Sequence, residues 1–203
     1  IAAPVPHAVP QLPEGLVSKG LLSAAQVETL IYAASAHERD LPGRYEAEDK
    51  GCSLKASTEG RVYRQGYFLG DGTGAGKGRQ VASVILDRWV RRERRHIWIT
   101  KNEALLEDAR RDWTALGGLP IDVQPLASWK LGTPIAMRDG ILFVTYPTLR
   151  SGRGDATRLE QILAWAGEDF DGVIVFDEAH AMANAAGGEG TRARVATTVP
   201  AIS

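Results

Sequence analysis

The sequence predicts an α/β fold, with a mostly parallel sheet covered by helices on both faces. Three observations carry that expectation. Apolar runs recur at His96–Thr100, Ile141–Val144 and Val173–Phe176 without polar alternation, as in strands buried on both faces. The segments between them place apolar residues three and four apart, the period of a helix. Glycine-rich or polar turns separate the two kinds, giving the strand–helix alternation of a parallel sheet.

The totals bound the rest. A chain of 203 residues suits one domain or one large α/β unit. Lys plus Arg number 24 against 25 Asp plus Glu, a formal net charge of -1, so any nucleic-acid contact has to be local. The one cysteine, Cys52, excludes an intrachain disulfide and fits a reducing compartment. No apolar run approaches membrane-spanning length and no signal peptide opens the chain, so no membrane partner is expected. Ile1 in place of Met suggests a piece of something larger.

Taken in order, residues 1–20 open with Pro4, Pro6, Pro10 and Pro13, which favour extended chain and suggest an arm or linker. Residues 21–203 form the main domain. A helix from about Leu22 to His37 starts with Ser23 as N-cap and Gln26 three residues on, a capping box. Gln26 has a second reading, as a reader of adenine. Residues 40–66 form a loop or hairpin insertion, with Ser53–Lys55 and Arg61–Tyr63 as candidate arms. Tyr67-Phe68-Leu69 reads as a short buried strand. Val81, Ile85 and Trp89 lie four apart, with Ala82, Leu86 and Val90 widening that helical face. Arg91-Arg92-Glu93-Arg94-Arg95 reads as a solvated helix end. A helix over Ala104–Leu116 turns Leu105, Ala109 and Trp113 to one side, and Gly117-Gly118 stops it. Ile121–Val123 is a short strand and Leu126–Gly140 a loop. Asp155 or Thr157 starts a last helix, with Leu159, Ile162, Leu163 and Ala166 inward.

The chemistry concentrates in Gly70-Asp71-Gly72-Thr73-Gly74-Ala75-Gly76-Lys77-Gly78-Arg79. Strand, glycine turn and helix let backbone N–H groups curl around an anion at a helix N-terminus. Lys77 can then reach the outer phosphates of a nucleotide. Two departures from the P-loop pattern stand out. Asp71 occupies a glycine position, and Gly78 replaces the Ser or Thr whose hydroxyl ligates Mg²⁺. The second signal is Val173-Ile174-Val175-Phe176 followed by Asp177-Glu178-Ala179-His180. Ligands of parallel sheets bind beyond the carboxyl ends of strands, so both signals belong to one edge. Asp177 can hold Mg²⁺ and Glu178 can orient and deprotonate an attacking water, with Glu178 a further metal-side oxygen and His180 a relay. The cofactors expected are ATP and Mg²⁺.

These strings, with Glu107-Asp108-Ala109-Arg110-Arg111-Asp112 and Gly167–Glu178, resemble the strawberry notch family of superfamily 2 helicases and translocases. The likeness spans about Leu21 to Asn184. It implies a RecA-like P-loop NTPase domain, in which Gln26 reads adenine and Gly72 to Lys77 hold phosphates. Lys101, Asn102, Thr145 and Tyr146 fall where such motors touch a nucleic-acid backbone. The family also has Gly after the P-loop Lys, so the resemblance makes Gly78 a family trait. Ala179-His180 departs from the Cys-His of animal members.

By that resemblance the chain is the first RecA-like motor domain of an ATP-dependent translocase on nucleic acid, with DNA favoured over RNA. A second RecA-like domain of the same parent would complete its site. The tail after Asn184 lacks the Ser-Ala-Thr motif expected there, and residues 185–203 read as incomplete. Rival readings are a nucleotide-binding scaffold that recruits protein partners, and a P-loop ATPase that remodels protein. A bacterial or phage-encoded cytoplasmic protein is the expected setting, with the nucleus as the alternative.

Overall fold

The computed structural model describes residues 5–47, 54–72, 74–153 and 156–180. Cys52, Ser53, Thr73, Asp155 and the tail from 181 onward, Asn184 included, lie outside the described residues.

In chain order the elements are α1 (Ala24–His37), β1 (Tyr45–Ala47), β2 (Leu54–Ala56), α2 (Lys77–Val90), β3 (Arg95–Thr100), α3 (Leu106–Ala115), β4 (Val123–Pro125), β5 (Gly140–Thr145), α4 (Tyr146–Leu149), β6 (Gly152–Arg153), β7 (Ala156–Thr157), α5 (Arg158–Ala166) and β8 (Ile174–Phe176). Four strands form one sheet in the order β4-β5-β3-β8, and every pairing in it is parallel. This is the α/β arrangement the sequence predicts, with the RecA-like pattern of strand–helix crossovers.

The period-two alternation of strand side chains divides the core. Trp98, Ile141, Phe143 and Val123 point to one face, where Ala82, Ile85 and Leu86 of α2 and Ala109 and Trp113 of α3 cover them. Ile97, Ile99, Leu142 and Val144 point to the other, beneath Leu149 of α4 and Ile162, Trp165 and Ala166 of α5. Both faces of the sheet are therefore buried, which is why its strands carry no polar alternation.

Local signals set the helix ends. Ser23 accepts from the Gln26 backbone N–H and Gln26 returns the bond to the Ser23 N–H. Thr157 and Glu160 form a second capping box at α5, so the helix starts after Thr157. In α2 the buried face centres on Ala82, Ile85 and Leu86, while Val90 is exposed. The turn back from Val90 to the next strand leaves that last residue beyond the sheet.

Three expectations need correction. Tyr67–Leu69 is not a strand and Phe68 is 84% exposed. An apolar run supplies strand propensity but no partner, and among the described residues nothing pairs with this one. The insertion hairpin joins Tyr45–Ala47 to Leu54–Ala56, and Arg61 makes only a bridge to Tyr45. Residues 120–122 form a 3₁₀ turn, which shifts the short strand to Val123–Pro125. The proline-rich arm lies against the domain. The His7 and Ala8 N–H groups donate to Ser35 Oγ at 3.1 and 3.0 Å, the Gln11 N–H donates to Asp87, and Leu16 is buried in the core.

The basic run after α2 is paired internally. Arg91 meets Asp87, Arg88 meets Glu93 and Arg95 meets Asp169, while Arg94 lies over the Trp89 ring.

Buried His96 and half-buried His37 give the fold a pH dependence. Burial pushes His96 down to about 3. Burial, aided by Arg88 and Arg64, pushes His37 down to about 4. Both stay neutral in the folded chain after the unfolded chain, with its ordinary histidine value of 6.5, has taken up protons. Stability is thus full above about pH 6.5 and falls as pH drops toward 4. Urea unfolding at pH 7.5 and 5.5 should show a loss of about 2–3 kcal/mol at the lower pH. Equal stability at the two values would contradict this.

Candidate nucleotide site

The site gathers at the carboxyl edge of the sheet because of strand register. Thr100 ends β3 opposite Thr145 of β5, and Ile99 lies opposite Phe176 of β8. The residues that follow, Lys101, Tyr146 and Asp177, therefore leave the sheet along one edge. Only Arg91–Arg94 separate α2 from β3, so α2 runs back along the strand. Its 14 residues, about 21 Å of helix, bring its first turn to that same edge.

The glycine loop is held at three points. Gly76, the N-cap of α2, has φ 70° and ψ 42°, the left-handed region where glycine is least strained. A Cβ there would lie 2.6 Å from Gln26 Nε2. That amide donates to the Ala75 carbonyl at 3.4 Å. The capping box and the loop contact are thus made by one side chain, its oxygen serving α1 and its nitrogen the loop. Gln80 Nε2 donates to Asp71 Oδ2 at 2.9 Å and to the Ala75 carbonyl at 3.1 Å. Asp71, at odds with the P-loop pattern, is thereby the loop's latch onto α2. Lys77 Nζ donates to the Asp71 and Gly72 carbonyls at 3.0 and 3.2 Å. A bound phosphate would exchange these carbonyls for its own oxygens.

The acidic turn is held as firmly. The Asp177 N–H donates to the Ile99 carbonyl at 2.8 Å, and Thr100 Oγ1 donates to Asp177 Oδ2 at 3.1 Å. Glu178 has φ 53°, a left-handed conformation uncommon outside glycine. Its carboxylate lies 3.2 Å from His180 Nδ1. Tyr146 donates its hydroxyl to the Asp177 carbonyl at 2.9 Å. Burial, with Asp177 and Glu178 adding to it, pushes this phenol up to about 12, so it remains a donor through neutral pH.

The structure therefore brings Gln26, Asp71, Gly76 and Lys77 together, and Asp177 with Tyr146. Lys101 and Asn102 are exposed. Thr145 is buried, and its hydroxyl caps α4 and meets Thr148. Thr100 and Gln80 escaped sequence reading, since their contacts span 77 and 9 residues respectively.

The donor set fits a metal-bound nucleotide. A Cβ at Gly72 or Gly74 would meet nothing within 4 Å, so the loop is open at these two positions. Among the described residues no three acidic, His or Cys side chains converge as a metal cage. Asp177, whose Oδ2 accepts from Thr100 Oγ1, keeps carboxylate lone pairs for Mg²⁺, which completes its shell with phosphate and water.

Comparison with known proteins decides the family. The profile of the family described as "P-loop containing NTP hydrolase pore-1" matches residues 1–202. Strawberry notch homolog 1 of Gallus gallus is 37% identical over 180 residues, covering 84% of this chain and 13% of the relative. The chain belongs to the strawberry notch family. Human strawberry notch homolog 2 is 39% identical over 170 residues, covering 82% and 11%. Protein strawberry notch of Drosophila melanogaster is 33% identical over 183 residues, covering 85% and 10%. The chain thus spans about an eighth or less of the length of the strawberry notch relatives it matches. No solved structure matches. What this stretch carries is the family's P-loop NTPase domain, and the glycine loop and acidic turn are the parts that define one.

Tyr146→Phe removes the hydroxyl that holds the Asp177 carbonyl. Unfolding should show a loss of about 0.5–1.5 kcal/mol, the net worth of one hydrogen bond. NTP hydrolysis by the protein carrying this domain should fall more than nucleotide affinity does. A variant with unaltered stability and turnover would mean the bond positions nothing.

Proposed function

We propose that this domain is the first RecA-like motor domain of an ATP-dependent, helicase-like translocase on nucleic acid, DNA in preference to RNA. The observation that carries the reading is the shared edge. Parallel register delivers Asp177-Glu178 to the side of the sheet where the glycine loop opens α2, with Gln26 anchored on that loop. Family membership supports the nucleotide chemistry, and the polymer is our inference from the resemblance of the motifs.

The roles follow from chemistry. Loop amides and Lys77 bind the phosphates, and Lys77 trades its carbonyl partners for phosphate oxygens. Gln26 would read the adenine amino group and a ring nitrogen with the second lone pair and second hydrogen of an amide whose oxygen accepts from the Ser23 N–H and whose nitrogen donates to the Ala75 carbonyl. Asp177, oriented by Thr100, would hold Mg²⁺, with Glu178 as a further acidic oxygen. Bound Mg²⁺ neutralises phosphate charge during transfer. Glu178 accepts the proton of the attacking water, and His180 beside it would relay the state of the phosphate to neighbouring elements. A second RecA-like domain of the same parent would close the cleft and supply an arginine to the transferring phosphate.

The competing reading, a nucleotide-binding scaffold with little hydrolysis, draws on Gly78, which lacks the usual hydroxyl.

Two variants of the whole protein test the proposal. Lys77→Ala should abolish ATP turnover while the fold survives, because the lysine neutralises ligand charge and supports no core. Glu178→Gln should bind ATP within about threefold of wild type and hydrolyse it about 10²–10⁴-fold more slowly. Turnover unchanged in folded Lys77→Ala would sink the nucleotide reading. ATPase activity indifferent to DNA and RNA would favour a P-loop ATPase that remodels protein, and ATP binding with little turnover by the wild-type protein would favour the scaffold.

A further inference from the structure

Gly78 lies in the first turn of α2, where the P-loop pattern places a hydroxyl side chain. A carboxylate from another helix fills that place here. A Cβ at Gly78 would overlap Asp112 Oδ2 and lie 3.2 Å from its Cγ. No serine or threonine fits there while Asp112 holds this position.

Asp112 belongs to α3, 34 residues further along the chain, and its side chain is only 18% exposed. Its other oxygen, Oδ1, meets Arg79 Nε at 3.4 Å. Arg79 Nη1 in turn donates to the Leu21 carbonyl at 3.0 Å, just ahead of the α1 cap. One acidic side chain therefore ties α3 to the first turn of α2 and, through Arg79, to the helix bearing Gln26. A carboxylate beside a helix N-terminus is favoured by the unpaired N–H groups there.

We infer that Asp112 replaces the missing P-loop hydroxyl, its carboxylate supplying from α3 the metal-side oxygen that a residue at 78 would otherwise supply from α2. This rests on the nucleotide-site reading. It makes Gly78 and Asp112 a coupled pair, so that restoring the common P-loop residue should damage the site.

The test is equilibrium binding of a fluorescent ATP analogue to the whole protein across a Mg²⁺ titration. Asp112→Asn keeps the shape and removes the charge. It should need about tenfold more Mg²⁺ for half-maximal binding, in the range seen when groups supporting a metal are altered, while metal-free affinity holds or rises because a negative charge is removed from beside an anion. A purely structural role would move both alike. Gly78→Ser should weaken Mg²⁺-dependent binding about tenfold through overpacking. Gly78→Ser with Asp112→Gly should recover to within about threefold, since the oxygen returns to α2 as the space opens. An unmoved Mg²⁺ midpoint in Asp112→Asn overturns the inference, as does wild-type affinity in Gly78→Ser. If Gly78→Ser does not fold, Asp112→Asn decides alone. Failure of the wild-type protein to bind the analogue at any Mg²⁺ concentration overturns instead the nucleotide-site reading beneath it.

Discussion

The parallel pairing of β3 with β8 is the constraint on which the site depends. It sets Ile99 opposite Phe176, and the next residue, Asp177, donates its N–H back to Ile99. With the backbone so fixed, the Thr100 hydroxyl reaches the Asp177 carboxylate. A slip of one residue would turn every side chain of β8 to the opposite face and carry Asp177 away from Thr100. The central position of β3, paired with β5 on its other side, makes such a slip costly. Both core clusters would lose their alternation at once.

The glycine loop is organised differently. No strand ladder fixes it among the described residues. Side chains from two helices do so instead, Gln26 of α1 and Gln80 of α2 converging on the Ala75 carbonyl. The Gln80 oxygen is buried with no partner among the described residues, an acceptor left over once its nitrogen latches Asp71. Such a loop combines a fixed base with open positions at Gly72 and Gly74, and the lysine at its end is bonded to carbonyls that a stronger acceptor can replace. Rigid acidic turn and adaptable glycine loop thus meet at one edge, as phosphoryl transfer requires positioning from one side and accommodation from the other.

Much of this was legible in the sequence, and the reason is locality. Strand runs such as Ile141–Val144, the Ser23–Gln26 box and the glycine loop are signals within a few residues of each other. The family strings extended that reading to the site residues. What escaped depended on distant partners. Tyr67–Leu69 has strand composition, yet a strand exists only through its neighbour. Thr100 reaches Asp177 across 77 residues with nothing in its own surroundings to mark it, and Tyr146, marked only as a nucleic-acid contact, reaches the Asp177 carbonyl across 31. Asp112 could be quoted as part of a characteristic string, but its contact with Gly78 becomes visible only when α3 is laid against α2. What residues 5–20 lie on escaped for a related reason. Proline favours extended chain and says nothing about what that chain packs against.

The central claim, that the glycine loop and the acidic turn form one nucleotide site, is tested most directly by amide hydrogen exchange of the whole protein with and without Mg·ATP. The account predicts slowed exchange in two separated stretches together, Gly70–Gln80 and Asp177–His180, saturating at the same nucleotide concentration. Protection of the glycine loop alone, or of neither stretch while nucleotide demonstrably binds, would contradict it.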